Sequence, residues 1–200
     1  MFDRIALKIT KPVVNSMAKQ IHKAGYNADQ VTFASFGLGM VAALLIALGH
    51  SYVALMPLLI GRLLDGLDGA VARLTTPTDR GAYLDITLDF LFYAAVPLAF
   101  ATVDPLAAAV LLAAFIGTGT SFLAYAIMAE KRGEKSDDYP SKSFYYLGGL
   151  AEGAETVACF TAMCLWPQHF AALAYFYAIL CTITTATRLL AGWRNFITKN

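Results

Sequence analysis

Four aspartates and an arginine between residues 65 and 89 stand between long apolar runs: Asp65, Asp68 and Arg73, then Asp85 and Asp89. A charge placed beside lipid costs roughly 2.5 to 3.5 kcal/mol on insertion scales, so a group in such a position has a partner or a task. Asp65 and Asp68 are three residues apart and share one helical face; Asp85 and Asp89 are four apart and share a face with Gly81, one turn earlier. Two helices joined by a short turn at residues 74–80 can aim these faces at each other. Together the carboxylates carry about four negative charges, which two divalent cations cancel, and ligands that are all oxygen suit Mg2+ or Mn2+ better than zinc. Paired ions of this kind hold and activate a phosphate or pyrophosphate.

The residues between the acids make the pattern specific. Asp65, Asp68, Gly69, Ala72 and Arg73, followed by Gly81, Asp85 and Asp89, occupy eight fixed positions over 25 residues. The stretch resembles the signature of the CDP-alcohol phosphotransferases, DxxDGxxAR, a spacer, then GxxxDxxxD. The spacer between Arg73 and Gly81 has seven residues, one fewer than the usual form. This resemblance implies a transferase of phospholipid biosynthesis, in which a hydroxyl acceptor attacks the phosphorus next to the alcohol of a CDP-alcohol and CMP leaves. It implies that Asp65, Asp68, Asp85 and Asp89 hold two Mg2+ or Mn2+ ions, with Asp89 also the general base. Asp65, Gly69, Arg73 and Gly81 would contact the nucleotide, the glycines by letting it approach the backbone and the arginine by forked pairing with phosphate. CDP-diacylglycerol is the favoured donor, with CDP-choline and CDP-ethanolamine as alternatives. Acceptors in the family include glycerol phosphate, inositol or its phosphate, serine and lipid alcohols.

The elements that must position these groups read as membrane helices. The chain of 200 residues is 58% apolar, with a mean hydropathy of +0.58 and a net charge of +1, which gives no reason to invoke nucleic acid. Residues 31–48, 52–74, 81–102, 106–128, 144–166 and 170–192 are runs of about the length that crosses a bilayer. The expected architecture is therefore all-α and integral to the membrane, one domain with a six-helix bundle at 28–192. At 1–24, Phe2, Ile5, Ile9, Val13 and Met17 recur at near-helical spacing opposite Arg4, Lys8, Lys11 and Lys19, which predicts an amphipathic helix on the membrane surface. Asp29 is the candidate cap of the first span. Cys159, Cys164 and Cys181 lie in apolar runs and read as reduced, buried thiols.

Charge distribution orients the bundle. All fifteen Lys and Arg residues lie in the N-terminal segment, around the aspartate hairpin, near residues 130–142, or in the last thirteen residues, and none in the turns near residues 50, 104 and 168. With six spans this asymmetry is the one expected if both termini and the aspartates lie in the cytoplasm, and the family resemblance, to a bacterial subgroup, implies a bacterial inner membrane. Gly117, Thr118, Gly119, Thr120 and Ser121 suit close helix packing within the chain or in a dimer, and a homodimer is the expectation.

Residues 142–156 resemble a stretch in a less characterised bacterial subgroup of the same family. Glu152 and Glu155 share a face and are candidates to orient the acceptor, although pairing for fold stability accounts for them equally well. Phosphorylated acceptors need cations, and Lys131, Arg132, Lys142, Arg188 and Arg194 are on the expected face. Arg62, one turn before Asp65, is either an aid to the site or an ordinary interfacial arginine. Two rival readings use the same acids differently: a cation pathway through the membrane, or a catalytically silent scaffold that binds lipid. The pathway does not require the glycines, Ala72 and Arg73 between the acids, and the scaffold would have kept the whole motif.

Overall fold

The computed structural model describes residues 3–133 and 149–197, and the side chains of the first helix from Pro12 onward. Among these residues are seven α-helices and no strand: α1 (Asp3–Lys23), α2 (Ala28–Ala47), α3 (Ser51–Ala72), α4 (Asp79–Ala99), α5 (Pro105–Lys131), α6 (Gly153–Leu165) and α7 (Phe170–Asn195). Helices α2, α4, α5 and α7 are long and apolar enough to cross a membrane. Helix α3 has the length, 22 residues, but carries Arg62, Asp65 and Asp68 in its second half. Helix α6 has 13 residues. At about 1.5 Å per residue it is shorter than the roughly 30 Å apolar layer, unlike the span expected at 144–166, of which residues 144–148 lie outside the described chain.

Local chemistry sets the helix starts. Asn27, rather than the expected Asp29, caps α2: its side chain accepts from the Gln30 backbone N–H at 2.9 Å, and the Gln30 side chain accepts from the Asn27 N–H at 3.0 Å. Asp29 instead accepts from Arg80 at 2.5 Å, joining the start of α2 to the start of α4. Thr78 caps α4 through the Gly81 N–H at 3.1 Å, and Asp104 caps α5 through the Ala107 N–H at 2.9 Å.

Helix α2 packs against both α3 and α4 and holds them in register. Its close approaches depend on small residues. Ser35 donates to the Gly61 carbonyl of α3 at 2.9 Å, and a Cβ on Gly39 would lie 2.6 Å from the Phe92 ring of α4. Phe92 is fully buried, edge-on to Phe160 at 5.9 Å between centroids. Gly39→Ala is therefore expected to destabilise the protein by about 1 to 3 kcal/mol, because the ring has no free space to move into. A thermal midpoint in detergent equal to the parent's would show that the ring makes room.

Two of the small residues of α5, Gly117 and Gly119, pack inside the chain, whereas Thr120 is exposed. A Cβ on Gly117 would meet Thr185 of α7 at 3.2 Å, and one on Gly119 would meet Phe90 of α4 at 2.6 Å. At the other end of the bundle, Phe100 stacks on Phe170 at 4.6 Å. Helix α1 presents Val14, Met17, Ala18 and Ile21 to Val31 of α2 and to Leu67 and Val71 of α3. Val13, expected on that apolar face, is 60% exposed. The proposed contributions of Phe2, Ile5, Ile9, Arg4, Lys8 and Lys11 fall outside the described side chains.

Candidate active site

The last turns of α3 and the first turns of α4 face each other and bring the acids together. One carboxylate oxygen from each of Asp65, Asp68 and Asp85 lies within 4.8 Å of the others. Asp68 is buried, whereas Asp65 and Asp85 are half-buried. Asp68 is held in place: Thr32 of α2 donates to one oxygen at 2.6 Å and the Gly69 N–H to the other at 2.6 Å. Hard oxygen donors gathered from two helices, with one ligand fixed by bonds from its neighbours, fit a divalent cation such as Mg2+ or Mn2+.

Asp89, one turn beyond Asp85, is engaged elsewhere. Arg62 of α3 donates to it at 2.6 Å and also lies 3.4 Å from Asp65. The guanidinium sits 4.0 Å from the centroid of the Phe92 ring and donates to Ser35 at 3.3 Å. Its side chain is 8% exposed, against 27% for Asp89. The interfacial alternative for Arg62 is therefore excluded: it is an internal cation of the site.

The residues expected on the nucleotide side surround the α3–α4 turn. Arg73 caps the end of α3 and is exposed, and its side chain folds back so that a Cβ on Gly69 would be 3.3 Å from Nη1. Gly81 lies in the first turn of α4, where a Cβ would be 3.3 Å from both Asp29 and Thr78. Both glycines thus lie against polar side chains, Gly69 against Arg73 and Gly81 against Asp29 and Thr78.

The acceptor candidates form a second group. Glu152 is buried at the start of α6 and accepts from the Gly149 N–H at 2.8 Å. Gly149 in turn abuts Arg188 of α7, whose Nη2 would lie 3.4 Å from a Cβ there. Arg188 is buried, donates to the Thr118 carbonyl at 3.0 Å and borders a cleft of about 530 Å3 between α5 and α7, with Ser121, Tyr125 and Trp193. Glu155 occupies the first turn of α6, half-buried. Arg132 is drawn to the end of α7, donating to the carbonyls of Asn195 at 2.6 Å and Ile197 at 3.3 Å. Lys131 and Arg194 are exposed, and Lys142 lies outside the described residues.

Thr32 and Ser35 were missed by sequence reasoning. The available signal was two hydroxyls three residues apart on one face of an apolar helix.

Comparison with known proteins extends these observations. Residues 26–193 match the family profile described as CDP-alcohol phosphatidyltransferase. Over 197 residues, 96% of each chain, the sequence is 46% identical to the inner membrane protein YnjF of Escherichia coli strain K12. The fold is similar to that of the phosphatidylinositol phosphate synthase PgsA1 of Mycobacterium tuberculosis. Its crystal structure with CDP-DAG bound gives a TM-score of 0.73 at 22% identity, covering 94% of this chain and 98% of that one. The same protein in complex with manganese and citrate gives 0.72 at 22% identity, covering 94% and 93%.

Proposed function

Because this chain belongs to the CDP-alcohol phosphatidyltransferase family, and is a membrane phosphotransferase of that class, we propose that it moves a phosphatidyl group from CDP-diacylglycerol to a hydroxyl acceptor and releases CMP. The observation that carries this reading is the meeting of Asp65, Asp68 and Asp85 within 4.8 Å. The Mycobacterium protein of the same fold holds CDP-DAG in one structure and manganese in another, which supports the choice of donor and cation.

Asp65, Asp68, Asp85 and Asp89 would hold two Mg2+ or Mn2+ ions. When bound, such ions neutralise a pyrophosphate and stabilise the departing CMP oxygen. Asp65, Gly69 and Gly81 let the nucleotide lie against the backbone, and Arg73 pairs with its phosphate. The acceptor oxygen forms a bond to the phosphorus next to diacylglycerol as the bond from that phosphorus to the CMP oxygen breaks. The hydroxyl proton passes to Asp89. Glu152, which accepts from Gly149, and Arg188, which borders the cleft, orient the acceptor, and the Arg188 charge suits one that bears phosphate.

We take α3 and α6 to complete a six-helix bundle whose acid-bearing end faces the cytoplasm, as the distribution of Lys and Arg indicates. The inner-membrane description of the Escherichia coli relative supports that location. A cation pathway through the same acids does not require Gly69, Ala72, Arg73 and Gly81 between them, whereas phosphotransfer gives those positions a use.

Purified protein in detergent, given CDP-diacylglycerol, Mg2+ or Mn2+ and a panel of alcohols, is expected to release CMP with one class of acceptor and to make the matching phospholipid. Metal flux into liposomes without CMP release from any donor would overturn the proposal.

A further inference from the structure

The arrangement of Arg62 bears on how the acids are used, an inference that rests on the two-metal reading above. Of the signature acids, Asp65, Asp68 and Asp85 gather their oxygens, while Asp89 is paired across the hairpin with Arg62. A guanidinium is charged at any working pH and has no lone pair to offer a metal, so it can only compete for the oxygens it touches. It competes for two: Asp89 at 2.6 Å and Asp65 at 3.4 Å. Both contacts come from the same nitrogen, Nη1. The group is also held from outside the acids, by the Phe92 face at 4.0 Å and by Ser35, which itself is bonded to the Gly61 carbonyl. Such a mounting suits a fixed component of the site better than a side chain that strays in from the surface.

We infer that Arg62 is a positioning residue that acts as a resident cation, occupying Asp89 and part of Asp65 until a second divalent ion displaces it. Asp65, Asp68 and Asp85 take the first ion, and Asp68 is held for it by Thr32 and the Gly69 N–H rather than by Arg62. An ion that takes Oδ1 of Asp89 must displace its bond to Nη1, and one that binds through the other oxygen is still opposed by the guanidinium charge beside it. Arg62 therefore sets the order of loading and keeps the base engaged while the site is incomplete. Competition of this sort is reciprocal: whatever Arg62 gains from Asp89, the second ion loses.

The test is a Mn2+ titration of the purified protein in detergent, followed by the electron paramagnetic resonance signal of free Mn2+. The parent is expected to bind two ions in two separated classes. Arg62→Met should strengthen the weaker class by about tenfold or more and leave the tighter class within a few-fold, because a nearby positive charge has been removed from one site. Arg62→Gln, which can still bond Asp89 but carries no charge, should strengthen the same class and serves if the methionine variant does not fold. A purely structural role would lower the thermal midpoint and leave both constants where they were. If the parent binds two ions and both variants trace the parent's isotherm, this inference is overturned and the two-metal reading stands. A parent with no saturable Mn2+ binding overturns both.

Discussion

Asp89→Asn is expected to release CMP at about one hundredth to one ten-thousandth of the parent rate, the range over which a positioned general base contributes. The variant should fold, because the asparagine carbonyl can still accept from Arg62 in place of the carboxylate oxygen now 2.6 Å away. What it lacks is basicity and charge. An amide does not take a proton from an attacking hydroxyl, nor does it neutralise a cation as a carboxylate does. The measurement is CMP release with saturating CDP-diacylglycerol and Mn2+, alongside helical circular dichroism and the thermal midpoint. Activity equal to the parent's would remove Asp89 from the chemistry altogether.

Asp68→Asn acts one step earlier, on the metal. Removing an outer-shell partner of a metal ligand costs about 10- to 100-fold in affinity or activity, and removing the charge of the ligand should cost at least as much. The fold again survives, for a reason visible in the hydrogen bonds. The Thr32 hydroxyl lies 2.6 Å from Asp68 and 3.0 Å from the Ala28 carbonyl. It can donate to that carbonyl and accept from an asparagine amide, while the Gly69 N–H keeps its acceptor. A Mn2+ titration should therefore show weakened binding with little change in thermal midpoint. A variant that binds Mn2+ as tightly as the parent would mean that Asp68 serves the α2–α3 contact alone.

Much of the site was legible because ionisable groups in an apolar chain stand out and their spacing names a helical face. Asp65, Asp68 and Asp85 converge as that spacing requires. The position of Asp89 was less accessible: a face tells which way a side chain points but not which neighbour claims it, and Arg62 is 27 residues away in the chain. The same limit explains α2. Asn27 and Asp29 are both plausible caps from local chemistry alone, and the choice is made by Arg80, 51 residues on. Helix α6 was overestimated for a different reason. Residues 144–166 form an apolar run of spanning length, but the described helix begins only at Gly153, after Glu152 adopts extended backbone angles of −116° and −176°. Hydropathy weighs composition and cannot see where a buried glutamate turns back to bind the chain, here at Gly149.

The contact between Gly39 and Phe92 reaches beyond the stability of the bundle. The ring that fills the notch in α2 presents its face to the guanidinium of Arg62, so a single methyl added at a residue without a side chain would press, through that ring, on the group paired with the carboxylate of Asp89. A mutational scan read only for metal ligands and nucleotide contacts would score such a position as silent.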